Sequence, residues 1–478
     1  MRLGVTICLT VGLVLGLALA FVQEAVEKRL LTGMRSRRAR ALLSLLLAMA
    51  CSGCRKTPLA QQPVTITFSC LNDWHSPSKL GPEAIAEFTR QTGIVVKTLP
   101  YGEELAQRRA QDLLWLERHS STPDVYETDI IELPGIAEHM IDLAPFVGED
   151  AKSYMPAILK NFVFDGRLVA VPNNTDVGLL FYRADLLRKY GYSGPPRTWD
   201  ELGKMASAIQ AGERAAGIKD FWGFVWEGAP WEGLTYTALE WQASSGGGHI
   251  IEPDGTISVN NPRTIAALKR AKGWVGSISP PGVIAYRMED VFNIWQSGRA
   301  AFMRNWPYAY LIGNRPDSWV RGKFDVTYLP SGGVGHTGTL GGWQFSVSKY
   351  SAHPREAAEF VLYLTSRQAQ LRFTRELGWT PTRLDLYDDP EVLRANPYYR
   401  WLKDALPRII VARPSAVTGK SYTAVSDAYA QAVHSVLTGE KSAPDAMAGL
   451  EKTLAGLTGF RIRTSAGAAP IPAGSLLP

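Results

Sequence analysis

The sequence predicts an α/β fold that contains a parallel sheet and is divided between two domains. An alternating strand, VTITFSC, is followed by an amphipathic segment that stops at Gly93 and then by a second strand, GIVVKTLP. This order of strand, helix and strand implies parallel neighbours in one sheet. The length of 478 residues exceeds what one core usually holds, so we expect two domains. With 46% hydrophobic and 20% charged residues, the chain has the composition of a soluble globular protein.

The first 60 residues predict export and are not expected to join the fold. The segment 34–54, MRSRRARALLSLLLAMACSGC, has a basic start, an apolar stretch and small residues before cysteine, which resembles a bacterial lipoprotein signal. Cys54 follows Ser52 and Gly53 and fits the acylated position slightly better than Cys51. Acyl chains there would anchor the protein to a membrane. A plain signal peptide with incidental cysteines is the alternative.

A second apolar run, residues 3–22, precedes this signal and is long enough to span a bilayer. Because Met34 by itself opens a complete signal, we expect residues 1–33 to reflect a start assigned too far upstream. A transmembrane helix is the alternative. Processing at Cys54 would leave only that residue and Cys70, so no disulfide framework is expected.

The chemistry of several protein classes is missing from the sequence. The net charge of +6 is small and comes partly from arginines in the signal, so we expect no nucleic acid partner. The seven histidines show no HExxH pattern or other metal-ligand spacing, and no phosphate-binding or nucleophile motif is present. We therefore expect neither a metal nor a cofactor. The 14 tryptophans and 18 tyrosines are many, which fits a core or ligand platforms.

Polar residues mark two places where a binding site is expected. A helix over about 103–119 leads to the strand PDVYETDI, which carries Asp129 at its carboxyl end, where α/β sheets bind ligands. A helix cap or loop residue is the alternative reading of Asp129. Further along, PNNTD interrupts two apolar strands, which is typical of a crossover between lobes and of a hinge or cleft floor.

Aromatic and acidic residues in the middle of the chain allow more than one interpretation. Thr198 and Glu201 have the spacing of a capping box at a helix start. In FWGFVWEGAPWEGLTYTALEW, we interpret Trp222 and Trp241 as core residues. The acids Asp73, Asp129, Asp176 and Glu232 include pairs that would suit a glycosidase, but their separation does not follow from the sequence.

The stretch TLGGWQFSVSKYSAHPREAAEF predicts a strand followed by a helix. Phe345 and Val347 alternate with serines, which favours a half-buried strand, and Ser351 stands ahead of Pro354 as the expected helix start. The two glycines before Trp343 allow close approach and would expose backbone N–H groups beside a large flat ring. A binding surface and a tight turn both fit this pattern.

Taken in order, these segments resemble the extracellular solute-binding proteins of ABC importers, specifically the trehalose/maltose-binding branch. The likeness is carried by the lipoprotein signal and by PDVYETD, NNTDVGLLFYRADLLRKYGY, PRTWDELGKMA, FWGFVWEGAPWEGLT, FMRNWPYAY, TLGGWQFSVSKYS and YDDPEVL, and it covers residues 64–457. It implies the two-lobed periplasmic-binding-protein fold of the larger maltose-binding type, with an interlobe ligand cleft and a hinge. The expected organisation is a linker at 55–63, an N-terminal lobe of 64–173 plus 308–353, a C-terminal lobe of 174–307 plus 354–460, and a flexible tail at 461–478.

The resemblance also implies ligand contacts. Gly341, Gly342 and Trp343 would present backbone N–H groups and an indole face to a sugar, with Trp306 as the other stacking wall. The implied polar contacts are Arg108, Asp129, Asn174 and Arg408. Members of the family have an acidic ligand contact in the first loop after the opening strand, whereas this loop reads LNDWHSPSK here. The second set of candidates is therefore Asp73 or His75 in that loop, together with Asp176, Glu232 and Arg413, the last competing with Arg408.

The function implied by the resemblance is that of a lipid-anchored binding subunit and not an enzyme. It would close around an α-linked disaccharide of the trehalose or maltose type and deliver it to the transmembrane subunits of an ABC permease and their ATPase. We expect an exported monomer at the periplasm or cell surface. A secreted glycoside hydrolase and a sugar-binding sensor or adhesin are the alternatives.

Overall fold

The computed structural model describes residues 63–71, 74, 80–99 and 105–463, and the described residues between Val64 and Arg463 belong to one compact unit. Both candidate lipidation cysteines, the signal segments and the loop residues Asp73 and His75 lie outside the described residues. Within the described part of the chain, every helix is too short or too polar to cross a bilayer.

Strands and helices alternate along most of the chain. The strands are β1 (Thr65–Ser69), β2 (Val95–Leu99), β3 (Val125–Asp129), β4 (Val163–Phe164), β5 (Arg167–Leu168), β6 (Val171–Val177), β7 (Leu179–Tyr182), β8 (Trp222–Val225), β9 (Ala300–Asn305), β10 (Asp325–Tyr328), β11 (Gly338–Val347) and β12 (Ile410–Val411). The helices of the first half are α1 (Leu80–Thr92), α2 (Leu105–Glu117), α3 (Leu133–Ile136), α4 (Ala144–Val147), α5 (Pro156–Leu159), α6 (Ala184–Lys189), α7 (Trp199–Ala215) and α8 (Glu232–Ser244). Those of the second half are α9 (Pro262–Trp274), α10 (Met288–Gln296), α11 (Tyr308–Gly313), α12 (Pro354–Leu364), α13 (Arg367–Leu377), α14 (Pro390–Ala395), α15 (Tyr399–Ile409), α16 (Ser415–Thr418), α17 (Tyr422–Thr438) and α18 (Ala443–Thr458).

The first sheet has the strand order β12-β11-β3-β1-β2, and β6 also pairs with β11. Strands β1, β2 and β3 are parallel, which confirms the order of strand, helix and strand expected from the sequence. Strand β11 is antiparallel to both β3 and β6, so it lies between the end of the parallel sheet and the crossover segment.

The second sheet has the order β10-β7-β9-β8. Strand β6 belongs to the first sheet and β7 to the second, and only Gly178 separates them. The chain therefore crosses between sheets where the sequence predicts a crossover. The PNNTD segment is itself part of β6, because β11 pairs with it along its length.

Two hydrophobic clusters hold the sheets together. The first contains Phe68, Phe345 and Phe360, whose rings meet edge to face with centroids 5.3 to 5.7 Å apart. The second contains Trp241, which packs edge to face against Trp226 and Trp274. Trp241 is thus a core residue, as expected, whereas Trp222 is half-buried beneath the guanidinium of Arg214.

The packing of the chain after β11 differs from the expected lobe boundary. The buried residues of α12 and α15, including Phe360 and Leu402, belong to the first cluster, whereas Val425 and Leu450 of α17 and α18 belong to the second. The lobe boundaries stay a prediction, but this packing favours grouping α12 and α15 with the first sheet rather than with α17 and α18.

Of three local predictions, for the Thr198 cap, the burial of β11 and the start of α12, the structure confirms the first. The Thr198 hydroxyl accepts a hydrogen bond from the Glu201 backbone N–H at 3.1 Å, so the predicted cap forms. The half-buried reading of β11 is wrong, because Ser346 and Ser348 are as buried as Phe345 on a strand that is covered on both faces. The following helix begins at Pro354 and not at the predicted Ser351.

Candidate functional site

Three predicted site residues meet where β3 ends beside β11 and β6. In the strand register, Trp343 of β11 lies opposite Asp129 of β3 on one side and opposite Asn174 of β6 on the other. Asp129 follows four fully buried positions of β3, which is why its carboxylate emerges at the carboxyl edge of the parallel strands.

The two adjacent glycines of β11, Gly341 and Gly342, are required by close approach. Gly342 has φ +135°, and an added Cβ would lie 2.4 Å from the carbonyl oxygen of Asn174. A Cβ on Gly341 would lie 3.2 Å from two ring atoms of Trp306. The glycines therefore let β6 and the Trp306 ring pack directly against the β11 backbone. This contact places the Trp306 ring against Gly341, two residues before Trp343, so the two predicted stacking residues both adjoin this part of β11.

Arg413 is the arginine that joins β11 to Asp129 and Glu232. Its Nη1 donates to Glu232 Oε1 at 2.7 Å, and its Nη2 donates to the carbonyl oxygen of Leu340 at 3.2 Å and lies 3.4 Å from Asp129 Oδ1. The side chain is 3% exposed, so these charge-assisted bonds are shielded from water. Glu232 also accepts hydrogen bonds from Tyr422 and Ser426, which fixes its carboxylate at the start of α8.

Arg408, the first choice from the sequence, is not part of this group. It lies on the exposed face of α15, whereas the next residue, Ile409, is buried. The chain must run through β12 before Arg413 reaches β11, so an arginine on the helix does not reach the site. The competing candidate Arg413 takes the position that the resemblance had assigned to Arg408.

Arg108 is linked to Asp129 through Glu132. Arg108 is buried on α2, its guanidinium lies 5.3 Å from the centre of the Trp343 ring, and its Nη2 lies 3.4 Å from Glu132 Oε2. Glu132 also pairs with Arg109 and accepts the Asp129 backbone N–H at 2.6 Å. The sequence interpretation missed Glu132, and of the two arginines in the QRR segment, residues 107–109, it preferred Arg108 to Arg109. The signal for Glu132 was a second acid three residues after Asp129, and that for Arg109 was the second arginine of the QRR segment.

We name the group Asp129, Glu132, Glu232, Arg108, Arg109 and Arg413 the arginine half of the site. Burial raises the pKa of the Asp129 carboxyl, and Arg413 and Arg109 oppose this shift. Each carboxylate in this half has an arginine partner, which keeps the hydrogen-bonding groups in place before any ligand arrives.

The carboxyl half of the site consists of Asn174, Asp176, Glu227, Tyr236 and Trp306. The Asn174 side chain donates to Asp176 Oδ2 at 3.1 Å, and the Tyr236 hydroxyl donates to Glu227 Oε1. Glu227 is 1% exposed, and its Oε2 and the Asn174 Oδ1 are buried without a hydrogen-bond partner among the described residues. Buried polar atoms of this kind call for a partner that a ligand can supply.

Burial also changes the acidity of this half. It raises the pKa of Asp176 from its ordinary 3.8 to about 8, with a further contribution from the charge of Asp129. It raises the pKa of Glu227 from 4.5 to about 7, against the opposing effects of Arg304 and Tyr236. Glu227 was missed from the sequence, although it lies between two tryptophans in the segment VWEGAPW.

A cavity of about 220 Å³ lies beside the arginine half. Its walls include Leu340 and Arg413 together with residues from 130–134, 160–164 and 412–416.

Among the described residues, no group of histidine, cysteine and acidic side chains has the geometry of a metal site. The arrangement therefore provides aromatic faces and fixed hydrogen-bonding groups.

Comparison with known proteins identifies the family of this chain. The family described as bacterial extracellular solute-binding protein matches residues 75–371, more than half of the chain. A probable ABC transporter-binding protein of Deinococcus radiodurans is 44% identical over 401 residues, which cover 83% of this chain and 94% of that protein. An arabinooligosaccharide-binding protein of Bacillus subtilis is 23% identical over 75% of this chain and 82% of its own length.

A solved structure has the same fold. The maltose-bound T. maritima MalE3 is 33% identical, aligns with a TM-score of 0.75, and is covered completely by 82% of this chain. The two-lobed fold of the maltose-binding type is thereby confirmed. This chain belongs to the family of bacterial extracellular solute-binding proteins.

Proposed function

We propose that this chain is the substrate-binding subunit of an ABC importer and that it binds an α-linked disaccharide of the maltose or trehalose type. The observation that carries the proposal is that the Trp306 ring, which follows β9, packs against Gly341 of β11, two residues before Trp343. On one side Asp129 lies opposite Trp343 with its arginine partners, and on the other Glu227 and Asn174 have buried oxygens without a partner among the described residues. The similarity to a maltose-bound protein over its full length supports a sugar ligand.

The chemistry of a sugar matches both kinds of group. Sugar faces present C–H groups that pack on indole rings, and their rims present hydroxyls that pair with carboxylates and guanidinium groups. Asp129 and Arg413 would bind hydroxyls on one side, and Asp176, Asn174 and Glu227 would accept hydroxyl hydrogens on the other. A ligand that contacts both lobes binds the closed form better and shifts the population towards it.

Delivery to the transmembrane subunits and their ATPase completes the proposed cycle, with the protein acting as a lipid-anchored monomer. Cys54 is the proposed acylated residue and Cys51 the alternative. Translation from Met34 should give an exported, acylated protein, which metabolic labelling with a palmitate analogue would detect. Label that persists in the Cys51→Ala, Cys54→Ala double variant would contradict the lipoprotein proposal.

A thermal-shift screen of maltose, trehalose and their longer homologues tests the binding function. A ligand at one hundred times its dissociation constant stabilises the native state by about 2.7 kcal/mol, which is readily measured. Incubation with the same sugars, followed by an assay for released glucose, separates a binding protein from a glycoside hydrolase. We expect stabilisation without glucose release. Release of glucose at a rate that depends on the protein would favour the hydrolase.

A further inference from the structure

We propose that Arg304 is a positioning residue that holds the Trp306 ring in place for ligand stacking, an inference that rests on the proposed sugar-binding function. Arg304 lies on β9, two residues before Trp306, and is 1% exposed. A guanidinium is costly to bury unless it is paired and hydrogen-bonded. The contacts of Arg304 therefore indicate what it holds in place.

The guanidinium of Arg304 lies over two aromatic rings. The Arg304 guanidinium carbon lies 4.1 Å from the centre of the Trp306 ring and 4.4 Å from the centre of the Tyr236 ring. These two rings meet edge to face with centroids 4.9 Å apart. Arg304 therefore restrains Trp306 through its ring face, since cation–π contacts are strongest where water is excluded.

The edge of the guanidinium is fixed by a buried carboxylate. Arg304 Nε and Nη2 donate to the two oxygens of Glu240 at 2.9 and 2.5 Å, and Glu240 is fully buried. This bidentate geometry sets the orientation of the guanidinium plane and, with it, the position of Trp306.

The ion pair is also connected to the point where the chain crosses between the two sheets. Glu240 Oε1 accepts the backbone N–H of Thr339 on β11 at 3.0 Å. A Cβ on Gly178, the residue between β6 and β7, would lie 1.9 Å from Glu240 Oε1 and 2.6 Å from Arg304 Nη2. The pair thus packs directly against the crossover backbone and links Trp306 to the strand that carries the two glycines.

Sequence and structure together give a matched control. Arg383 forms a bidentate ion pair with Asp150, with both distances 2.7 Å, and its guanidinium lies 5.1 Å from the centre of the Tyr154 ring. This arrangement has the same chemistry away from the site. Within the described residues, Arg383 and Asp150 contact each other, Tyr154, Ser153 and Asp385. Arg304→Lys and Arg383→Lys therefore remove the same planar, bidentate contact at two different places.

The experiment compares these variants by calorimetry with maltose, or with whichever sugar the screen selects, and by fluorine NMR of protein labelled with 5-fluorotryptophan. The Trp306 resonance is assigned from its loss in Trp306→Phe. We expect Arg304→Lys to raise the Kd about tenfold and to shift or broaden the Trp306 resonance before sugar is added, because lysine lacks the planar fork. Arg383→Lys should keep the Kd within about twofold of wild type and leave the resonance unchanged.

The outcomes separate this inference from the proposed function. If wild type binds sugar and Arg304→Lys shows an unchanged Kd or an unchanged Trp306 resonance, Arg304 does not position the ring. If wild type binds no sugar, the proposed function fails, and the resonance alone decides whether Arg304 holds Trp306. Should Arg304→Lys fail to fold, Arg304→Met with Glu240→Gln removes both buried charges, retains an acceptor for the Thr339 N–H, and is judged by the same resonance.

Discussion

The two halves of the candidate site differ in how their carboxylates are compensated. In the arginine half, Asp129, Glu132 and Glu232 each have a guanidinium nitrogen within 3.4 Å. In the carboxyl half, Asp176 and Glu227 are held by Asn174 and Tyr236, and no ion pair to either acid is found in the described part of the chain. In the first half, ion pairs therefore hold the carboxylates in place before a ligand binds. In the second half, the buried carboxyl groups depend on bound protons or on ligand hydroxyls for compensation.

Removing the central cation of the arginine half should have the largest effect. Arg413→Met leaves Asp129 and Glu232 without their shared partner, and breaking a buried ion pair in this way costs about 3 to 5 kcal/mol of stability. Sugar binding should be lost in the same variant. The exposed Arg408 provides the control. Arg408→Met should have the same free energy of unfolding and the same sugar affinity as wild type. Chemical denaturation and calorimetry measure both, and equal effects from the two substitutions would show that the wrong arginine has been assigned.

Truncating the ring between the two halves should affect binding more than stability. Trp343→Ala should weaken sugar binding by roughly 1 to 3 kcal/mol, as for an aromatic anchor, with little change in the free energy of unfolding. Trp241→Ala is the contrasting variant. Because Trp241 is packed in the second cluster, its loss should remove about 3 to 5 kcal/mol of stability. A Trp343→Ala protein that melts far earlier and yet binds normally would place Trp343 in the core instead.

The carboxyl half should make stability depend on pH. The folded-state pKa values of Asp176 and Glu227, about 8 and about 7, exceed their ordinary values of 3.8 and 4.5, so the folded state binds more protons between those limits. Their contribution is fully present below about pH 4 and is lost as pH rises towards 8, by up to about 1.4 kcal/mol per pH unit for each group. Denaturant titrations of ligand-free protein at pH 5 and pH 8 measure this loss.

The matched variant for this effect is Asp176→Asn with Glu227→Gln. It should lose less stability than wild type between the two pH values, because neither position then titrates. An identical pH dependence in wild type and variant would show that these acids are ionised in the folded protein and that the two halves do not differ in this respect.

An exposed ion-pair cluster should have the smallest effect. Lys420, just before α17, lies 2.8 Å from Glu117 and 3.0 Å from Glu138, and all three side chains are at least half-exposed. Exposed pairs contribute about 0 to 1 kcal/mol, so Lys420→Met should change stability and affinity little. A larger loss in denaturant titrations would mean that exposed charges stabilise this protein as much as the buried arginine half does.

The fold and the close backbone approach at GGW were easier to predict from the sequence than the ion pairs of the candidate site. Strand and helix periodicity is local, and GGW combines a backbone requirement with a large ring, so Gly342 and Trp343 were identifiable. The choice between Arg408 and Arg413 depends on which face of α15 is buried and on the path through β12, which is tertiary information. The sequence gives one indication of Arg304, which is a charged residue directly after the apolar run AAFM of β9.

The measurement that tests the central claim most directly is a crystal structure of the protein with maltose or the sugar selected by the screen. The proposed function predicts one sugar stacked on Trp306 and Trp343, with hydroxyls on Asp129 and Arg413 at one end and on Asp176 and Glu227 at the other. A sugar bound elsewhere, or one that contacts only a single half, would contradict the claim that the two halves form one site.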